Sequence, residues 1–341
     1  TGNTCNNNSD GIHLYSSSDN TITGNTCNNS YDGIRLYSSS SNNTVTGNTC
    51  NNNDYGIFLD SSSNNNTATG NTCNNNNYGI FLYSSSDNTI TCNTCNNNSY
   101  IGIYLSSSNN NTITGNTCNN SFYSGIDLDS SSNNTVTGNT CNNNDYGIRL
   151  YSSSNNMATG NTCNNSYIGI YLSSSNNNTI TGNTCNNSYI GIYLSSSNNN
   201  TVTGNTCNNN SSNGIYLSSS SNNTIADNTC NNNSSSGIYL YSSSRNNTVT
   251  GNTCNNSNYG IRLYSSNNNT LTGNTCNDNY YNGICLSSSN NNTITGNTCI
   301  RGTGQTSDYA SDQYTIRLQG TANNYNLISS NNCMGKAVVI E

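Results

Sequence analysis

Cysteine is the residue with the most chemistry to offer in this 341-residue chain, which holds seventeen of them. Fourteen recur every 22 to 24 residues, at Cys5, Cys27, Cys50, Cys73, Cys95, Cys118, Cys141, Cys163, Cys185, Cys207, Cys230, Cys254, Cys276 and Cys299. Thiolates serve as nucleophiles, metal ligands and disulfide partners. Each recurring cysteine closes the phrase Thr-Gly-Asn-Thr-Cys, nearly unchanged from Thr1 to Cys299. If the phrases stack in register, neighbouring cysteine Cα atoms stand about 4.8 Å apart, inside the disulfide window of roughly 4.4 to 6.8 Å. Parallel Cβ vectors at that spacing need some adjustment before two sulfurs meet. Two readings stay open: a column of reduced thiols packed as small hydrophobes, or inter-coil disulfides. A single file of thiols lacks the converging ligands of a tetrahedral metal site, so neither a metal nor a cofactor is expected. Three cysteines miss the beat. Cys92 replaces a turn glycine, Cys285 takes an outward strand position and Cys333 follows the last full repeat. These three are the candidates for specific or intermolecular bridges, and the odd total leaves at least one thiol unpaired within the chain.

Other reactive types are sparse. The fourteen acidic residues form only three near pairs, Asp10/Asp32, Asp127/Asp129 and Asp308/Asp312, and the single histidine, His13, has no evident partner. Glycan hydrolysis or elimination needs clustered carboxylates, usually with Arg or Lys, in a groove. The sequence therefore predicts no catalytic residue and no enzyme. Net charge is −7 with seven basic residues, which excludes nucleic acid as a partner. No apolar run approaches membrane-spanning length. The cysteine content and the Asn/Ser/Thr-rich surface predict an extracellular or cell-surface protein. The chain begins in mid-repeat without Met, as expected of a processed product or a piece of something longer. Many Asn-x-Ser/Thr sequons occur, such as Asn7, Asn28, Asn42 and Asn65, as they must in so biased a composition.

The elements that position these residues follow from one repeat, Gly33 to Cys50. Ile34 and Leu36 are two apart and share a strand face, with Arg35 opposite. Val45 lies between Thr44 and Thr46 in the same alternation. A turn at Gly47-Asn48 resets the phase before Cys50. Three short strands per repeat, no helical periodicity and no proline in the whole chain give the fold class: an all-β, right-handed parallel β-helix solenoid of about 14 coils. Residues 1–299 are its regular coils. Residues 300–341 are expected to form a degenerate last coil with an insertion and a C-terminal cap, whereas no cap precedes Thr1, where open strand edges invite pairing. The turn between Cys and the next Gly is expected to absorb the one-residue insertions.

In such a stack every repeated position becomes a column. Asn25, Asn48, Asn71, Asn93 and Asn116 are expected to form an amide ladder. The outward position of Gly-Ile-x-Leu holds His13, Arg35, Phe58, Phe81, Tyr104, Asp127, Arg149, Tyr171, Tyr193, Tyr216, Tyr239 and Arg262, either stacked on one another or a platform for sugars. Thr21/Thr23, Thr44/Thr46, Thr67/Thr69, Thr89/Thr91, Thr112/Thr114 and Thr135/Thr137 form two hydroxyl rows, interrupted later by Met157 and Ala226, of the kind that binds ice.

The repeats at Tyr167–Asn183 and Tyr189–Asn205 resemble those of the NosD-type parallel β-helix proteins, exported surface proteins of archaea and bacteria, and the resemblance covers about nine-tenths of the chain. It is specific for fold and weak for function, because that family spans copper-accessory proteins, carbohydrate-active enzymes and surface-layer components. Cysteine here stands where Ile or Val usually fills the third strand. In this the chain is similar to the cysteine-rich sheaths and fibres of some methanogenic archaea. Together these readings predict a non-catalytic structural subunit of an extracellular fibre, sheath or surface layer. Its partner would be itself, as a homo-oligomer or filament joined through β-helix ends or faces. The alternatives are an ice-binding solenoid and a glycan-binding or adhesin module whose partners are surface glycans.

Overall fold

The computed structural model describes residues 1–301, 314–320 and 322–335. Among them are strands, turns and bends but no helix, and therefore none long and apolar enough to cross a membrane. The fold is an all-β parallel β-solenoid. The insertion and the Val-Val-Ile terminus expected beyond Ile300, with Asp308 and Asp312, lie outside the described residues.

Two compact units divide the chain: Thr1–Tyr171 with Ser175–Thr179, and Leu172–Ser174 with Ile180–Glu341. In the first unit the long strand of each coil (Asp10–Tyr15, Asp32–Tyr37, Tyr55–Asp60, Tyr78–Tyr83, Ile101–Ser106, Ser124–Asp129, Tyr146–Tyr151) pairs in parallel with its neighbours in chain order. The three-residue Thr-x-Thr strands, from Thr21–Thr23 to Met157–Thr159, form a second parallel sheet. The second unit repeats the plan with long strands from Ile190–Ser195 to Tyr314–Gln319 and short ones from Thr201–Thr203 to Leu327–Ser329.

The third wall is thinner than the sequence predicts. Where a strand Asn-Thr-Cys is expected, one threonine in most coils makes an isolated parallel bridge, Thr4 to Thr26 to Thr49 and onward, whereas Thr298–Ile300 and Asn332–Met334 do pair as three-residue strands. Left-handed residues on both sides, Gly47 (φ 61°) and Asn52 (φ 59°) in this coil, cut the extended stretch short. The core is as expected. Ile34, Leu36, Val45 and Cys50 are each at most 1 % exposed, and the pattern recurs coil after coil. Gly33 is needed where the long strand begins. A Cβ there would stand 2.9 Å from Cys50 Cβ and 2.5 Å from Gly56 O, so the cysteine wall packs directly on the glycine backbone.

Insertions enter two turns, not one. Besides the Cys-to-Gly turn, the turn after Leu gains a residue in three coils, each marked by two successive left-handed serines: Ser38-Ser39, Ser61-Ser62 and Ser242-Ser243.

Four polar ladders line the corners. Asn25 N and Nδ2 both donate to Asn48 Oδ1 at 2.9 Å, and Asn48 Nδ2 donates to Ile22 O at 3.0 Å. Asn43 repeats the arrangement with Asn66, and Asn53 N donates to Asn76 Oδ1. A serine ladder runs through Ser63, Ser85 and Ser108. Each satisfies buried backbone groups that the tight turns leave without strand partners.

Candidate functional site

The long-strand sheet of the first unit turns three side chains of each strand outward, and strand register makes three columns of them. One contains Asp10, Asp32, Tyr55, Tyr78, Ile101, Ser124 and Tyr146; the middle one His13, Arg35, Phe58, Phe81, Tyr104, Asp127 and Arg149. The third includes Tyr15 beside Tyr37, and farther on Tyr83, Ser106, Asp129 and Tyr151. Both arginines of this unit and five of its nine aspartates (Asp10, Asp32, Asp60, Asp127 and Asp129) lie here.

The middle column settles the aromatic question in favour of ring on ring. Phe58 and Phe81 stack with centroids 4.9 Å apart and planes 7° apart, and Phe81 and Tyr104 at 4.8 Å and 6°. Tyr55 and Tyr78 stack beside them at 5.4 Å and 9°. Rings so arranged spend their faces on each other and leave little for a sugar. More exposed rings stand in the third column: Tyr15, Tyr83 and Tyr151 are 63 %, 46 % and 41 % exposed, Tyr151 with Arg149 over one face.

Two charged clusters terminate the aromatic run. At one end Arg35 Nη2 reaches Asp60 Oδ2 at 2.8 Å and Nη1 reaches Asp32 Oδ2 at 3.4 Å. Its guanidinium covers the rings of Tyr37 and Phe58. His13 does have a partner: Nδ1 lies 2.8 Å from Asp10 Oδ2. Asp10 stands in register with the fully buried Asp32. Burial raises the Asp32 carboxyl to about 7 against the opposing pull of Arg35, with Asp10 and Asp60 adding to the rise. At the other end Arg149 Nη1 contacts both oxygens of Asp127 at 3.1 Å and lies over Tyr151 and Tyr123. Ser124 Oγ donates to the same carboxylate. Asp127 is also fully buried, and desolvation raises it to about 6 despite Arg149.

Chemically, the first cluster holds an imidazole oriented through Nδ1, leaving Nε2 for proton transfer, beside a carboxyl that titrates near neutrality. The sequence shows Asp10/Asp32 and Asp127/Asp129 as scattered pairs. It hides that the coil spacing brings Asp60 and Arg35 to the first pair and Arg149 to Asp127.

Of the other candidates, the ladder cysteines from Cys27 to Cys299 are fully buried in the core, and no disulfide forms among the described residues. Burial raises Cys73 and Cys118 well above the ordinary thiol range. Cys92 (φ 54°) is exposed. Cys285 is outward in its strand yet buried, with its thiol raised to about 11 by burial against the pull of Arg262 and Arg317. Cys333 stands in register with Cys299 and is exposed. The threonine rows are in register from Thr21 to Thr135 and meet Met157, 41 % exposed, in the next coil.

The sequence profile of a family described as "Periplasmic copper-binding protein (NosD)" matches residues 1–124 and 146–336. No curated protein matches the sequence. Among solved structures, the chain is similar to the A-module of the Azotobacter vinelandii mannuronan C-5 epimerase AlgE6, with TM-score 0.53 and 16 % identity over 94 % of this chain and 84 % of that one. It is similar to a mutant of the periplasmic alginate epimerase AlgG, with TM-score 0.52 and 14 % identity over 87 % and 76 %. It is also similar to a double-mutant tailspike protein of the E. coli bacteriophage HK620 in complex with a pentasaccharide, with TM-score 0.60 and 12 % identity over 87 % and 71 %. At these identities the likeness is one of fold. It nevertheless overturns the expectation that the chain is no enzyme: epimerases are built on this same fold, so a solenoid of this kind does not exclude catalysis.

Copper, named in the family description, prefers thiolate, thioether and imidazole donors gathered about one point. Among the described residues no three His, Cys, Asp or Glu side chains converge in that way. The cysteines face one another in single file inside the core, and the one imidazole is held by a carboxylate. These residues do not fit a copper centre.

Proposed function

The chain belongs to the NosD family of periplasmic copper-binding proteins, and from that premise we propose that it is an exported solenoid that binds carbohydrate on the outward long-strand face of its first unit. The observation that carries this reading is the row of exposed rings, Tyr15, Tyr83 and Tyr151, beside a rigid ring ladder whose two ends hold desolvated Arg–carboxylate clusters. A pyranose stacks on an open ring while its hydroxyls exchange hydrogen bonds with carboxylates and a guanidinium. Nine aspartates against two arginines in residues 1–179 favour a neutral saccharide over an acidic one. The pentasaccharide held by the HK620 tailspike lends the reading support by analogy of fold. Tyr83→Ala and Tyr151→Ala should each weaken binding of neutral oligosaccharides by up to about tenfold, measured by calorimetric titration. Phe81→Ala, inside the ladder, should cost stability more than affinity.

A second reading, a subunit of a fibre, sheath or surface layer, is favoured by the amide ladder that runs on from Asn25 and Asn48 and by two exposed thiols, Cys92 and Cys333, that would link copies of the chain. It predicts reductant-sensitive oligomers on a non-reducing gel. Monomer with and without reductant would remove it.

A further inference from the structure

A groove of about 700 Å³ lies within the second unit, lined chiefly by Asn199, Asn222, Ser243, Arg245, Asn246 and Asn268. Its origin is visible in the spacing. Cys230 to Cys254 is the one 24-residue step, because this coil takes an extra residue in both of its variable turns. The second insertion sets Ser242 and Ser243 in succession in the left-handed region and is followed by an exposed Arg245. Unlike Arg35 and Arg149, Arg245 has no carboxylate within ion-pair distance among the described residues.

Asn199, Asn222, Asn246 and Asn268 occupy equivalent places in four successive coils, with φ between 56° and 58°. All four are exposed. Asn200, Asn223, Asn247 and Asn269, the next residues in the chain, are consumed by the internal ladder. The left-handed four make no side-chain hydrogen bond among the described residues. Each carboxamide keeps donors and an acceptor to spare, repeated at about the 4.8 Å coil spacing. A compact anion needs one such group; a chain of sugar rings uses the series. Charge also separates the units. All of the net −7 falls in residues 1–179, whereas residues 180–341 hold five acidic and five basic residues. An acidic ligand that the first unit repels is not repelled here.

We propose that this groove binds an acidic saccharide, with Arg245 pairing a carboxylate or sulfate and the four left-handed asparagines taking hydroxyls of successive rings. The planar guanidinium matches either oxyanion through paired N–H donors. The site is separate from the open-ring face of the first unit, which takes neutral sugars. The test is titration of the full chain with an oligogalacturonate and, separately, with a sulfated oligosaccharide, each against a neutral oligosaccharide. At least one acidic ligand should bind, more weakly as salt rises. Arg245→Gln should weaken it by about tenfold or more. Deleting Ser243, which returns the turn to its common length, should reduce it similarly, and Tyr83→Ala should leave it unchanged. Which acidic ligand binds distinguishes carboxylate from sulfate. Binding by neither, an Arg245→Gln change that weakens neutral-oligosaccharide binding as much as acidic binding, or an Arg245→Gln chain that binds the acidic ligands like the parent would overturn the proposal. Loss of neutral-sugar binding in Tyr83→Ala alone bears only on the first unit.

Discussion

Asp32 and Asp127 each bury a carboxylate completely on what is otherwise the outer face of a sheet, and each relies on an arginine to do so. Their carboxyls, raised to about 7 and about 6, lie above the ordinary aspartate value of about 3.9. The folded state therefore keeps protons that the unfolded chain has already lost, so stability falls as pH rises from about 4 to about 7 and levels off beyond. Urea midpoints across that range should show the fall. Asp32→Asn, which keeps the shape and offers an N–H towards Asp10, should flatten part of it. Arg149→Met removes the cation paired with Asp127 and should cost about 3–5 kcal/mol at pH above 7, with a smaller loss below pH 6, where Asp127 carries its own proton. A loss independent of pH would mean that the arginine acts through packing alone. None of this was readable from single residues. Asp127 reads as outward by strand alternation, and it is outward, but Arg149 from the next coil and the neighbouring tyrosines then close over it.

The coil is the element that repeats, and its corners decide its stability more than its strands do. Asn116 accepts from both Asn93 N and Asn93 Nδ2, at 2.9 and 3.0 Å, and donates to Ile90 O at 2.9 Å. Asn116→Ala strands buried backbone groups and should cost about 3 kcal/mol in chemical denaturation. Cys92 holds a left-handed backbone at a place where most other coils use glycine. Cys92→Gly should therefore raise stability by about 1 kcal/mol. The repeat Thr-Gly-Asn-Thr-Cys made the Asn48 column and the core-facing cysteine legible, since the invariant phrase marks the column and its Gly-Asn turn resets the alternation that would otherwise send Cys50 outward. The ladders through Asn43, Asn53 and Ser63 were not legible, because in runs of Ser and Asn nothing marks which side chain turns inward. Before Thr298 the third wall shrank to a single bridged threonine for a related reason: the conformation of residues such as Asn52 is fixed by the turn they must make and leaves no mark in composition. The serine-turn insertions went unread beside the more obvious Cys-to-Gly variation.

For the molecule as a whole, repetition specifies the fold and its interruptions specify function. The ladder thiols from Cys27 to Cys299 are sealed in the core, while Cys92 and Cys333 are exposed. A thiol-specific reagent added to native protein should label Cys92 and Cys333 rapidly and the buried ladder only after unfolding. Rapid labelling throughout would mean that the coils open readily. Fold class was open to the sequence because a fixed period constrains every coil at once. The candidate site was not, because it depends on which rare charged residues come within reach of one another on neighbouring coils, as Arg35 does with Asp60, 25 residues on, and Arg149 with Asp127, 22 residues back. The central claim is carbohydrate recognition by the tyrosine-edged face of the first unit. It is tested most directly by titrating neutral oligosaccharides into the full chain and into its Tyr83→Ala and Tyr151→Ala variants, with Thr46→Tyr on the other sheet as control. The account predicts saturable binding that the two tyrosine variants weaken and the threonine variant keeps; no binding, or equal binding by all four proteins, would contradict it.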